Sequence, residues 1–528
     1  MNTITYKQTG YFSKTVTDFL AKSDQLTNYY KLFPTIQNFE KQLIAKTNSK
    51  TLCNRKILVN SLLKQYKNSS CSEKTIQNIH LLSKEQTFTI TTGHQLNLFT
   101  GPLYFLYKII STINLCEELK VTYSKYNFVP IYWMATEDHD FEEIQYFNFN
   151  TKKITWNRNS SGAVGKLDTK GLDLVFEKIT ALFGTSKNGK YLTQLFKNSY
   201  LKHNNLTDAT RYLTNELFKD YGLVILDADN ADLKKEFIPF AKEELLQQTS
   251  FKEVTKTNKT LSENYKIQVN PRKINLFYLT DKLRERIILD GNLYRINNTN
   301  ITFSKEEILT ELKNYPQRFS PNVIVRPLYQ EIILPNLCYI GGGGELAYWL
   351  ELKSYFKKVN VTFPILLLRN SALILNEKQS RKLKKLLVSK NELFLKQHDL
   401  IRKKVTEMSN LDLDFSKQKV FLQKQFSHLK EIASKTDKSF IGAVNAQEKK
   451  QLKGLNNLEK RLLKAENLKL KNMVNRISEI QNQLFPKQCL QERQVNFSEL
   501  YLEFGEQLIP SIKENLKPLN LKFSILTF

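Results

Sequence analysis

Cysteine is scarce in this chain: five residues in 528, odd in number, scattered and never in C-x-x-C spacing. That argues against a disulfide framework and a cysteine zinc site, and it fits a reducing compartment. No run of eighteen apolar residues occurs, so no membrane-spanning helix is expected. The opening MNTITYKQTGYFSKTV has no apolar stretch of the secretory kind, and a soluble, cytoplasmic protein is the expectation. Acidic charge is in deficit, leaving a formal net charge of +27. Such an excess suits a polyanionic partner. Yet lysine far outnumbers arginine, asparagine and isoleucine are abundant too, and no recognised nucleic-acid-binding motif is present. Nucleic acid is therefore not among the expected partners, whereas small anionic substrates suit the same field.

What is present is enough for a large core. Hydrophobic residues make up 41% of the chain and aromatics 11%, typical of a globular protein, and the length suggests about two to four domains. Residues 14–85 read as mostly helical, with apolar residues often three or four apart. A strand over Thr87–Thr92, a Gly-His-Gln turn, a helix from about Pro102 to Leu119 and a strand over Phe128–Ala135 form a β-turn-α-β unit, hence a parallel pair. From 148 the pieces look short and turn-rich (Asn157–Gly165, Gly184–Lys190). Strand-like runs return at Leu223–Asp227, Asn275–Leu279 and Ile287–Leu289. The run Ile332–Ile340 contains Pro335, which demotes its middle from regular strand. Glu345–Phe356 reads as helix and Pro364–Arg369 as a late buried strand.

Beyond Asn376 the composition shifts to Lys, Leu, Glu, Asn and Gln. Stretches 376–409 and 444–484 are expected to pair as two antiparallel helices about a polar hinge, Ser409–Ser416, because neither buries its leucine stripe alone. The expected division is 1–147, N-terminal helices and first half of the core; 148–205, an insertion; 206–375, second half with a further insertion; 376–485, a helical coiled-coil arm; and 486–528, a segment returning to the core.

Three groups of residues carry chemistry. Gly93-His94-Gln95, with Asn97, Thr100 and Gly101, follows a strand and precedes a helix, where ligands bind in α/β sheets and free N–H groups meet anions. His94 is a candidate to steady a phosphate or to act as acid or base near neutral pH. Tyr104 and Lys108 lie one helical turn apart on the helix behind it. Glu137, Asp138, His139 and Asp140 open a stretch of seven residues, Glu137–Glu143, holding five acids and a histidine. Crowded carboxylates repel unless a cation or a substrate amine compensates them. The third group is Arg326 with Gln330, then Gly341, Gly342 and Gly344 with Glu345 and Tyr348. Four consecutive glycines in a chain with only 17 suggest a nest of N–H donors for phosphate or carboxylate, gripped also by Arg326. These residues leave three classes open: an enzyme with a split active site, a metal-dependent hydrolase or nucleotidyl transferase built on the acidic cluster, and a non-catalytic RNA-binding protein using the basic arm.

TTGHQLNLFTGPLYFLYKIISTINLCEEL, VPIYWMATEDHDFEEI and RFSPNVIVRPLYQEIILPNLCYIGGGGELAYWLELK, in that order, resemble the BshC family of bacillithiol-synthesis cysteine ligases, and the likeness includes the lysine-rich arm and the late Leu490–Arg493. His94 stands where many members have glutamine, and Gly343 where they have proline. The resemblance implies an α/β fold: a Rossmann-like parallel-sheet core similar to class I aminoacyl-tRNA synthetases, connecting-peptide insertions and a dimer-forming coiled coil. It implies a ligase that joins L-cysteine through its carboxyl group to the amine of glucosaminyl-malate. ATP or ADP with Mg2+ is the expected cofactor, though neither a P-loop nor a KMSKS-like loop is present, and no tightly bound metal is expected. On this reading the 93–108 turn and helix take nucleotide or acyl phosphate. Glu137, Asp138, His139 and Asp140 hold the amine and remove its proton, and Arg326 with the glycines receives the malate carboxylates.

Overall fold

Threonine dominates the most central strand of the protein. In the computed structural model, which describes residues 2–49, 53–67, 69, 71–409 and 411–528, β1 (Thr87–His94) is buried along its whole length. Buried hydroxyls need partners. Thr89 and Thr91 donate to Asn336 Oδ1 at 3.2 and 2.8 Å, and Thr92 to the Ile340 carbonyl at 2.8 Å. The threonines thus bond to the neighbouring strand and fix its place.

Around β1 the sheet is wholly parallel. After β1 come α1 (Tyr104–Thr122), β2 (Asn127–Met134), β3 (Val224–Asp227), α2 (Ala231–Gln247), α3 (Arg326–Ile333), β4 (Asn336–Gly341), α4 (Gly343–Leu350) and β5 (Ile365–Leu368). The strand order is β5-β4-β1-β2-β3. The chain leaves β1 to one side for β2 and β3, then returns to the other flank for β4 and β5. That reversal puts a topological switch point between the carboxyl ends of β1 and β4, where such sheets bind ligands.

Elsewhere the local reading needs correction. The Gly-His-Gln turn begins later than expected, because Gly93 and His94 are still strand, paired with Trp133 and Met134. The runs at 275–289 are strands, Leu276–Thr280 and Leu283–Asp290, but they belong to a separate five-stranded antiparallel sheet. The stretch from 148 is less turn-rich than its glycines suggest. After a hairpin (Tyr146–Phe149, Lys152–Thr155) it forms helices Leu172–Phe183 and Lys187–Phe196. Gly189 is helical, and a Cβ there would run into the Phe183 carbonyl, so this glycine serves close approach and not a turn.

The arm pairs differently from the expectation. Stretch 376–409 is broken into Glu377–Lys385 and Gln397–Met408. The long hairpin is α5 (Ser416–Ala433) against α6 (Lys438–Lys469), joined by ion pairs Lys419–Glu459 (2.8 Å) and Lys430–Glu448 (2.5 Å) over Phe426, Ala433 and Val444. Asp437 starts α6 by accepting from the Ser439 and Phe440 amides, a capping signal that makes a second helix of the expected middle piece. Position 410 of the expected hinge lies outside the described residues. Past the arm, Phe523–Thr527 pairs with both Asn2–Ile4 and Ala372–Leu375. No helix among the described residues is long and apolar enough to cross a membrane.

Glu351, at the end of α4, ties the core to residues 268–269 by accepting from the Gln268 and Val269 amides at 2.7 and 3.4 Å. Burial pushes its carboxyl up to about 7. With a folded pKa above the unfolded one, the native state binds the extra proton, so stability falls as pH rises from about 4.3 towards the folded value. Glu351→Gln keeps an acceptor without the buried charge. It is expected to raise stability at pH 8 by about 1–3 kcal/mol and to have little effect at pH 5, as measured by urea titration at the two pH values.

Candidate active site

The carboxyl ends of β1, β2, β4 and β5 open into one cleft of about 710 Å³. Gly93, His94, Gln95, Tyr104 and Lys108 line one wall, and Glu137, Asp138, His139 and Asp140 another. Arg326, Gly342, Gly344, Glu345 and Tyr348 complete it. The three groups, far apart in sequence, therefore share a single site. Asn97, Thr100, Gly101, Gln330 and Gly341 do not line it. Asn97 holds the Glu143 carbonyl (3.1 Å), Asn496 anchors the Gly101 carbonyl (2.6 Å), Gln330 accepts from Arg326 (3.1 Å), and the Gly341 carbonyl accepts from the Arg369 amide (2.9 Å). Thr100 is buried in a left-handed conformation in the turn before α1.

At the switch point, Lys108 donates to the Gly93 carbonyl (2.6 Å) and pairs with Glu345 (2.5 Å), so its ammonium is committed inside the protein instead of reaching for a phosphoryl oxygen. Glu345 also accepts from Tyr339 (2.5 Å) and from the Gly342 amide (2.9 Å). Burial would raise its pKa, but Lys108, with Tyr339 and the Gly342 amide, more than offsets that and keeps it ionised. The glycine nest is smaller than expected. Gly341 ends β4, Gly342 is the N-cap of α4, and its amide is taken by Glu345; the first-turn amides of Gly343 and Gly344 have no partner within the helix. Arg326 donates to Gln330 and Tyr348, both at 3.1 Å, and has no carboxylate partner among the described residues. Burial opposes its charge, but Tyr348, Tyr339 and Glu345 hold it on. His94 is kept well below the usual histidine range, first by burial and then by the charges of Lys108 and Arg369, so it is neutral at pH 7.

At the other end, the acidic cluster brings its own cations. Glu137 is paired with Lys234, which reaches from α2 and is fully buried. Asp138 accepts from Gln95 (3.1 Å) and from the His139 amide (2.8 Å), with Arg284 3.8 Å away. Burial would raise its pKa, but hydrogen bonding to His139, the Arg284 charge and Gln95 together hold it far below the carboxylate range. Arg284 also meets His139 Nδ1 at 2.6 Å. A neutral ring that accepts there carries its proton on Nε2, which lies 3.8 Å from Asp140. Asp229, just past β3, is pushed up to about 7 by burial, then by Glu137. Asp138, His139 and Asp140 each put one ligand atom within 4.8 Å of the others, and Arg284 stands beside Asp138 and His139.

Two descriptions match the whole chain. Residues 1–370 match "Bacillithiol biosynthesis BshC, N-terminal Rossmann-like domain", and residues 372–528 match "Bacillithiol biosynthesis BshC, C-terminal coiled-coil domain". The chain belongs to the BshC family. Two BshC relatives, both named "Putative cysteine ligase BshC", come from Flavobacterium johnsoniae and Flavobacterium psychrophilum. The first is 58% identical over 99% of this chain and 99% of its own. The second is 59% identical over 99% of this chain and 98% of its own. A solved structure from Campylobacter jejuni, titled as a putative arginyl tRNA synthetase, covers 88% of this chain and 98% of its own at 9% identity, with a TM-score of 0.22. The Rossmann-like fold of this BshC chain rests on the strand order above and on the family match.

Sequence reasoning missed several cations of the site: Arg284, Arg369 and Arg493 line the cleft, as do Arg272 and Arg286, and Lys234 lies buried behind Glu137. Lys234 is one of many lysines on helices, and Arg284 alternates in a strand that reads as a polar face. Arg369 directly follows β5, a position that could have flagged it. Arg493 lies in the late Leu490–Arg493 segment, whose Glu492 pairs with Arg369 at 2.8 Å.

Proposed function

We propose that this protein is a cysteine ligase of bacillithiol synthesis, forming an amide between the carboxyl group of L-cysteine and the amine of glucosaminyl-malate. The observation that carries this reading is the polarity of the one cleft. Arg326 stands without a carboxylate partner at the switch-point end, and the ionised Asp138 with exposed Asp140 stands at the other. An acceptor bearing carboxylates and an amine matches both ends, with the carboxylates at Arg326 and the amides of Gly343 and Gly344, and the ammonium at Asp138 and Asp140. Bond formation then needs the amine to lose a proton, which Asp140 or solvent accepts, and the nitrogen to attack the cysteine carbonyl carbon as its leaving group departs. ATP with Mg2+, when bound, would supply the leaving group that a free carboxylate lacks. Gln95 and Tyr104, on the wall formed by the turn and helix after β1, are the groups that would hold its phosphates.

Equilibrium binding tests the placement of the acceptor. Arg326→Ala should weaken glucosaminyl-malate by about 30-fold or more, since a charge-assisted bond contributes roughly 2 kcal/mol or more. Unchanged affinity would remove Arg326 from the site.

The protein acts as a homodimer through its arm on this reading, as a cytoplasmic enzyme. Phe421 and Leu458 are 65% and 54% exposed, and Phe421 shares a small groove with Leu455, one turn from Leu458. Such apolar exposure on a helical hairpin favours burial against a partner. Phe421→Asp with Leu458→Asp should turn the dimer into monomer in light scattering, with folding unchanged. A dimer that persists would place its interface elsewhere.

A further inference from the structure

Most polar atoms lining the cleft are engaged with other protein groups. Two buried side-chain atoms in its lining are not: His94 Nε2 and Arg369 Nε have no hydrogen-bond partner. Their side chains are only 8% and 3% exposed. Leaving a buried donor or acceptor unmade costs about 1–3 kcal/mol, so such atoms call for a ligand. They flank one ring. His94 meets Tyr104 edge-on with centroids 5.5 Å apart, and the Arg369 guanidinium lies 5.0 Å from the same ring centre.

The rest of each side chain is fixed. Arg369 donates through its other nitrogens to the Asn370 carbonyl (2.9 Å), Ser371 (3.0 Å) and Glu492 (2.8 Å). Its Nε lies 3.8 Å from where a Cβ on Gly342 would stand, so glycine keeps a side chain off that flank of the N–H. His94 packs against Phe105 at 5.1 Å and has the Thr100 backbone as a partner. A carbonyl partner puts the ring proton on Nδ1 and leaves Nε2 a lone pair.

We propose that His94 Nε2 and Arg369 Nε form an acceptor–donor pair that recognises a hydroxyl group beside an anionic oxygen on the bound ligand. A hydroxyl fits the acceptor better than an ammonium does, because Lys108 and Arg369 make the surroundings positive. Burial, with these charges, keeps His94 neutral, as an acceptor must be. The pair is thus a recognition device and His94 not a proton carrier. Two ligands share this chemistry: an amino-sugar acid with its hydroxyls and carboxylates, and a nucleotide with its ribose and phosphates. The first case rests on the function proposed above; the second does not.

The test uses the full chain labelled with 15N at its six histidines, with His94 assigned through His94→Gln. The expected result is a His94 Nε2 that stays unprotonated from about pH 5 to about pH 8 and shifts on adding glucosaminyl-malate or ATP. In calorimetry, His94→Leu should weaken that ligand by about ten- to a hundredfold, and His94→Gln, whose amide oxygen accepts, should recover most of the loss. Gly342→Ala adds only ordinary contacts (3.5 and 3.8 Å) and should cover Nε, weakening the same ligand with no fall in Tm. A response to ATP alone would overturn the placement of the amino sugar here but uphold the pair. A His94 that titrates within the range, a His94→Leu that binds as the wild type does, or an Nε2 silent to both ligands would overturn the pair.

Discussion

Replacing Glu492 by alanine is expected to destabilise the protein by about 3–5 kcal/mol, the range for removing one partner of a buried ion pair. Glu492 is wholly buried and accepts from Arg369 (2.8 Å), the Ser371 hydroxyl (3.2 Å) and the Ala372 amide (3.3 Å). Alanine would strand the Arg369 cation, itself buried, next to the end of β5. It would also release the segment that carries Arg493 to the cleft, so binding should weaken along with folding. Glu492→Gln keeps one acceptor oxygen for Arg369 and Ser371, loses the charge and turns an NH2 towards the Ala372 amide, and about half the effect is expected. Urea titration measures both variants. A loss under about 1 kcal/mol in Glu492→Ala would mean that this pair does not tie the C-terminal segment to the sheet.

Asp138→Ala and His139→Ala should each lower kcat/KM for ligation by about 10²–10⁴-fold, the scale of a lost charged contact together with proton management. Both side chains are partly exposed at the cleft, but Asp138 stands beside buried Arg284 and His139 packs on Phe277, so Tm is measured alongside to separate a loss of folding from a loss of chemistry. The pH dependence separates charge from titration. Because the folded pKa of Asp138 is depressed, its contribution is complete above its unfolded value near 3.9 and fades only as pH falls through the folded one. Asp138 therefore stays ionised from about pH 5 to about pH 8, and Asp138→Asn should be equally defective across that range. An activity change near pH 7 belongs to Asp229, held at about 7, and Asp229→Asn should remove it. Wild-type activity in both Asp138→Ala and His139→Ala would sink the placement of the amine.

Part of the sheet was legible because its strands follow simple rules: apolar or threonine-rich runs ending in glycine, a histidine or an acidic cluster. The β1–β2 pairing follows from a parallel crossover connection, whereas the place of β4 beside β1, which brings Gly342 to Gly93 and Asp138, comes from the fold and not from the sequence pattern. What the sequence hid was compensation. The acids at 137–140 look unbalanced until Lys234 and Arg284 arrive from helix and strand many residues away, and nothing local marks either residue as a partner. Lys108 and Glu345 each read as a ligand group, yet they bind one another, because a buried charge is held most cheaply by an opposite charge within reach. The arm was legible in composition but not in pairing. Its register depends on Asp437 as a helix cap, a one-residue signal within a lysine- and leucine-rich stretch.

The most direct measurement is mass-spectrometric detection of the amide product after incubating purified protein with L-cysteine and glucosaminyl-malate, with and without ATP and Mg2+. The account predicts product only in the complete mixture, and its loss in Arg326→Ala and Asp138→Ala. No product in either tube, from folded protein, would contradict the assignment of this cleft to cysteine ligation.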